Sequence, residues 1–222
     1  MAAAIVVSVR TGQARTMERP AWDHARGRTW TSAYVKEEVG APVRVTTLGL
    51  EGDVQVDTRG HGGPHKAVLA YAAAHYPRWR EELGLPLMGP GGFGENLAVE
   101  GLDETQVCVG DVFALGGTRL QVSQPRGPCA NISRRWDRED LLRRVEETGR
   151  AGWYLRVLRE GVIERGQEMT RLEQPHPGWT VARVLRLHTT PALEPDAVRW
   201  LAKCEALTPK WRDRFARQAR KL

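Results

Sequence analysis

Cys129 is the residue of this chain best placed for chemistry. It closes the stretch Gln124-Pro125-Arg126-Gly127-Pro128-Cys129, which sets a thiol three residues after a guanidinium. Prolines fix φ and remove backbone donors, so the preceding strand is expected to end at Ser123, and no helix is expected to begin before Cys129. A stiff loop would then hold the thiol. A neighbouring cation brings a cysteine pKa from roughly 8.5 towards the range of about 3.5 to 7.5, and the thiolate is the form that attacks electrophiles or binds metal. A cysteine taken at random is a small buried hydrophobe; the Pro-Arg-Gly-Pro setting favours the reactive reading here.

A second site-like stretch runs from Asp57 to Lys66 and contains Gly60, His61, Gly62, Gly63, Pro64 and His65. Glycines this dense allow positive φ and let backbone N–H groups approach an anion, and Lys66 adds a point charge. His61 and His65 have the spacing of paired zinc ligands on a helix, but Gly62-Gly63-Pro64 forbids that helix and the zinc reading is rejected. A plain turn remains open for the loop. Lys36, between Tyr34-Val35 and Glu37-Glu38, reads by itself as a solvated charge. Glu95 and Asn96, after the glycine-rich loop 89–94, fit either a polar pair turned into a cavity or a strand cap.

The chain as a whole bounds these readings. At 222 residues, with 41% hydrophobic and 27% charged side chains, it is long enough for one well-buried domain and a small appendage, and too apolar for disorder. The start of the chain lacks the basic lead of a signal peptide, and no apolar run approaches the ~20 residues of a membrane span, so no membrane association and a cytoplasmic location are expected. The three cysteines form no CxxC pair, which argues against a zinc ribbon or a disulfide framework. Cys108 falls in a strand-like pattern and Cys204 on an apolar helix face, so both read as packing residues. The net charge of +6 points to an anionic partner without choosing its kind. The basic run 210–221 interleaves charge with an apolar stripe and reads as a solvated helix face, so nucleic acid is an unlikely partner.

The positioning elements follow from periodicity. Strands are expected at 4–9, 43–48, 67–71, 107–111, 112–115, 118–123, 152–158 and as two short pieces within 162–172. A Gly116-Gly117 hairpin should deliver the cysteine loop. Helices are expected at 72–83 and 138–147, and residues 12–28 show no period and read as a functional lid or a mobile segment. After Pro175 the period changes to 3.6, with helices opening at Thr180, Pro195 and Thr208-Pro209. The fold class is therefore mainly β (α+β): a β-barrel with peripheral helices over 1–175 and a three-helix module over 176–222.

Several of these stretches together resemble the MOSC domain family, and within it the bacterial YiiM-like branch. They are Gly49-Leu-Glu-Gly-Asp53, Asp57 with His61-Gly62-Gly63, Ala67 to Tyr71 with His75, Tyr76 and Trp79, Phe93 to Leu97, Gly110-Asp111, Gln124-Pro125-Arg126 with Pro128-Cys129, and Gly152 to Arg156. The resemblance implies a barrel-centred fold in which Cys129 coordinates the molybdenum of a molybdopterin cofactor. Gly62, Gly63, Lys66, Glu95, Asn96 and Arg126 would surround that molybdenum cofactor, and Lys36 and His61 would line the pocket as catalytic groups. His65 departs from the acidic or amide residue expected in relatives. The activity implied is reduction of N-hydroxylated bases or amines, with electrons from a separate reductase, since nothing in the chain reads as a flavin or nicotinamide site. A homodimer is compatible with the module. Two other functions stay open: a sulfur carrier using a Cys129 persulfide, and a non-catalytic nucleic-acid or partner-binding protein.

Overall fold

The protein is described by a computed structural model over residues 4–58 and 60–222; the part of the amino-terminal reading that concerns residues 1–3, and Arg59 within the glycine loop, lie outside the described residues. The strands are β1 (Ala4–Thr11), β2 (Arg15–Glu18), β3 (Thr29–Ser32), β4 (Glu37–Glu38), β5 (Val43–Thr46), β6 (Gly49–Leu50), β7 (Val68–Ala72), β8 (Leu97–Glu100), β9 (Val112–Leu115), β10 (Thr118–Pro125), β11 (Trp153–Arg159), β12 (Gly161–Ile163) and β13 (Glu168–Glu173). Helices α1 (His75–Leu83), α2 (Asn131–Trp136) and α3 (Leu141–Thr148) interrupt them, and α4 (Val181–Thr189), α5 (Pro195–Leu201) and α6 (Pro209–Ala219) end the chain.

Seven strands close a barrel in the order β13-β9-β10-β11-β7-β8-β1, because β1 returns to pair with β13. All neighbours are antiparallel except β7 and β8, whose connection carries α1, as a parallel pair requires a long crossover. Period-two alternation divides the side chains between two cores. Val68, Ala70, Ala72, Leu97 and Val99 fill the barrel with Phe113, Leu120, Trp153 and Leu155. Tyr71 and Ala98, on the other face of the same strands, join an outer core with Trp79, Phe93, Ile132 and the module's Leu187, Leu201, Trp211 and Phe215. β7 is thus buried on both faces, which is why it reads as a continuous apolar run.

Four expectations are corrected. Residues 107–111 form no strand: Cys108 makes only an isolated bridge to Thr180, and the Asp111 carboxylate turns back to accept the Cys108 N–H. Residues 12–28 contain β2, paired with β3 in a hairpin, whose pattern is hidden because both strands are mostly exposed. β10 passes through Ser123, where its register on β11 shifts, and continues to Pro125 opposite Trp153. The missing proline donor costs nothing there, since Arg126 N–H bonds Gly152 O at 3.0 Å. Finally, α2 starts at Asn131, two residues after Cys129, and was not anticipated, being only six residues long.

Gly152, just before β11, passes close against β7. It has φ 82°, and a Cβ there would lie 2.4 Å from Ala70 O. Gly152→Ala should lower unfolding free energy by about 3 kcal/mol or more, combining left-handed strain with backbone displacement. Gly40→Ala, where a Cβ meets nothing within 4 Å, should change it by less than about 1 kcal/mol. Urea unfolding of the two variants checks this.

Candidate functional site

A cavity of about 300 Å³ opens beside the end of β10 and is lined by Lys36, Asp53, His61, Gly62, Lys66, Asn96, Arg126 and Cys129, among others. Stretches far apart in sequence meet there because the barrel brings β7, β10 and β11 side by side. The hairpin β2–β3 contributes Thr31 and Ser32 to the wall. It is pinned to α2 by Asp23, which accepts from Arg134 Nε at 2.6 Å, and by Trp22 Nε1, which donates to Asp137 Oδ1 at 2.9 Å.

Cys129 is half-buried, whereas Cys108 and Cys204 are buried. Burial by itself pushes the Cys129 thiol up. A hydrogen bond from His61, the charge of Arg126, the charge of His61 and the Asn131 backbone N–H together outweigh it and bring the pKa down to about 7. The cysteine loop therefore ends against the first backbone donors of α2. Both other thiols are pushed up, chiefly by burial.

Arg126 is only 2% exposed. Its Nη2 donates to Tyr34 Oη at 3.3 Å and the guanidinium stands 5.8 Å from the Tyr34 ring centre. Its Nη1 has no hydrogen-bond partner among the described residues. A buried guanidinium without a carboxylate is costly, and an anion in the cavity is the natural compensation.

Lys36 is ion-paired with Asp53 Oδ1, both side chains being largely buried. Asp53 also accepts from Gly12 N at 2.7 Å and, through Oδ2, from Asn96 Nδ2 at 2.9 Å. Asn96 lines the cavity, yet its amide is spent on the scaffold: Oδ1 accepts from Leu69 N at 3.0 Å and Nδ2 also donates to Arg10 O at 3.2 Å. Lys66 donates to Gly60 O at 2.6 Å and lies over the Tyr154 ring. Gly62, at φ 124°, passes so close to Gln55 that a Cβ would lie 2.1 Å from Gln55 Oε1. His61 lines the cavity and His65 does not.

Two expected site residues stand apart. Gly63 lies outside the cavity and precedes the 3-10 turn Pro64–Lys66. Glu95 is wholly buried and accepts from Tyr76 Oη at 2.6 Å, Phe93 N at 3.0 Å and Gly91 N, so it clamps the 89–94 turn instead of facing the cavity. Burial pushes its carboxyl up, against those hydrogen bonds. Conversely, Asp53 and Tyr34 carry essential contacts that sequence reasoning missed. Nothing local signals that Asp53 neutralises Lys36 from a separate segment.

The site is that of a half-buried, activated cysteine in a cationic cavity at the rim of a mixed barrel. The family model "MOSC domain" matches residues 57–170, and the model "YiiM-like, 3-alpha helix domain" matches 179–221. The chain belongs to the MOSC family. It is 36% identical to YflK of Bacillus subtilis over 98% of this chain and 95% of that protein. It is 40% identical to a Gibberella moniliformis protein named "Reductase" over 73% of this chain, spanning only 29% of that longer protein. The crystal structure of YiiM from Geobacillus stearothermophilus superposes with a TM-score of 0.79 at 31% identity, covering 97% of this chain and 99% of that one. Among the described residues, no helix is long and apolar enough to cross a membrane.

Thiol alkylation should read the electrostatics directly. In the folded protein Cys129 should react with iodoacetamide along a pH curve centred near 7, rising with pH as the thiolate forms, while Cys108 and Cys204 stay protected. His61→Ala should move that midpoint upward by about a unit, because burial persists and the stabilising donor is gone. Mass-spectrometric rates across pH check the sign.

Proposed function

We propose that this MOSC protein binds a molybdenum cofactor through Cys129 and reduces N-hydroxylated bases or amines. The observation that carries the reading is the meeting, in one cavity, of a thiol lowered to about 7 with the buried, acid-free guanidinium of Arg126, whose Nη1 is unpaired. A thiolate is the soft ligand molybdenum favours, and a fixed cation offsets the charge of an anionic metal–pterin group. The donor set therefore fits the cofactor: Cys129 as ligand, with Arg126, Lys66 and the close backbone at Gly62 around its anionic parts. When bound, the cofactor supplies the two-electron chemistry of N–O cleavage.

The chain's own residues supply protons and positioning. His61 hydrogen-bonds the Cys129 sulfur, favouring its ionised form, and lines the cavity as a second proton donor beside Lys36. Lys36 spends one donor on Asp53 and retains others for a leaving oxygen in the cavity, where proton delivery lowers the barrier to water release. Asn96 and the Gly12 N–H hold Asp53, and through it the lysine. Val54 and Val56, partly exposed at the cavity wall, offer apolar contact to a flat base. Electrons come from a separate reductase in this reading. The relative named "Reductase" favours redox chemistry over a persulfide carrier, which would need the activated cysteine but no proton donor opposite it.

Protein made in cofactor-competent cells should carry molybdenum and consume hydroxylaminopurine with an artificial reductant. Cys129→Ser should lose the metal while folding normally. Lys36→Ala and His61→Ala should retain metal and turn over roughly 10²-fold more slowly, the scale of a lost general acid. Metal-free wild-type protein would overturn the cofactor assignment; metal-loaded protein that leaves the substrate untouched would favour sulfur transfer.

A further inference from the structure

Outside the cavity, three half-buried basic side chains carry buried nitrogens that have no hydrogen-bond partner among the described residues: His65 Nδ1, Arg156 Nε and Arg212 Nε. They come from the turn Pro64–Lys66, from β11 and from the first turn of α6, and so converge on the seam between barrel and module. Their closeness shows in their mutual influence. After burial, the charges of Arg156 and Arg212 pull the His65 pKa down, and Arg212 does the same to Arg156. Lys210, two residues before Arg212, likewise acts on Lys66, again after burial.

The seam that gathers them is rigid. Ser123 Oγ donates to His65 O at 2.6 Å, Thr208 N donates to Ser123 O at 3.2 Å, and Thr208 Oγ1 donates to Gln124 Oε1 at 2.9 Å. Arg156 Nη2 is held by Ala206 O at 2.7 Å. Among the described residues, no carboxylate pairs with His65, Arg156, Lys210 or Arg212. None of His65, Arg156, Lys210 and Arg212 lines the cavity. Like charges packed together with unsatisfied donors are costly in a half-buried setting, and planar guanidinium forks match the oxygens of phosphate.

We propose that this seam is a second anion site, in which Arg156, Arg212 and His65 take a phosphate dianion, free or as a phosphomonoester, and so fasten the three-helix module to the barrel. The ligand supplies the missing counter-charge from outside the chain. It is separate from the Cys129 cavity and does not depend on any redox activity there.

Calorimetric titration and thermal unfolding of the full chain with inorganic phosphate and with AMP, at ionic strength held constant with chloride, test it. Saturable phosphate binding should raise Tm by roughly 5 °C at a hundredfold excess over Kd. Tighter binding of AMP would assign a phosphomonoester, and exclusion of AMP would assign free phosphate. Arg212→Gln, which gives up no hydrogen bond, should weaken phosphate binding at least tenfold, and Arg156→Gln should do the same if it folds. Arg126→Gln, which removes a cation from the cavity, should leave the Arg212-dependent phosphate binding in place. The proposal is overturned if phosphate has no effect beyond the chloride control, if Arg212→Gln binds as wild type, or if Arg126→Gln abolishes binding and so places the ion in the cavity.

Discussion

Burying the Arg126 guanidinium without a carboxylate is the constraint around which this molecule is arranged. Desolvating such a group costs several kcal/mol unless an opposite charge or a full set of acceptors replaces water. Here one hydroxyl and one aromatic face stand in for water, and Nη1 is left over. The nearest opposite charge the chain can offer is the thiolate of Cys129. Each group favours the ionised form of the other, so the cation that strains the fold joins the His61 hydrogen bond in activating the sulfur. Keeping Arg126 in place falls to the barrel, through the extension of β10 to Pro125 and the Arg126 N–H on Gly152 O.

The other buried polar groups contrast with it. Glu95 takes hydrogen bonds from Tyr76, Phe93 and Gly91, and the Asn96 amide is shared among Leu69, Arg10 and Asp53. Such saturated networks rigidify a wall but leave little to offer a ligand. Lys36 is intermediate, neutralised by Asp53 yet open to the cavity. Satisfaction is incomplete at Cys129, Arg126 and Lys36, the groups to which the proposed chemistry is assigned.

The three-helix module is part of this arrangement and not an ornament. Leu187, Leu201, Trp211 and Phe215 share one core with Tyr71 and Trp79, and Thr208 bonds the backbone and side chain of β10 immediately before the cysteine loop. The aromatic layer continues along the outer face of the barrel, where Tyr71 stacks on Phe93 at 4.4 Å and Trp79 Nε1 donates to Tyr71 Oη at 2.6 Å. Module and site are thus mechanically continuous through β10.

Read by itself, the sequence determined the elements whose signal is local: the alternating strands, the Gly116-Gly117 hairpin, the helix starts at Thr180 and Pro195, and Cys129 as the exceptional thiol beside Arg126. Ordered motifs along the chain were also enough for the family. Only the tertiary structure decided which polar residues face the cavity. Glu95 and Asn96 are neighbours in sequence, yet one clamps a turn and the other lines the wall, since the chain bends at Asn96 as it enters β8. The hairpin β2–β3, with its exposed faces, the six-residue α2, the partnership of Asp53 with Lys36 and the gathering of His65, Arg156 and Arg212 were equally hidden. Each depends on segments brought together by barrel closure or module docking, and a contact between distant segments leaves no periodicity in either one.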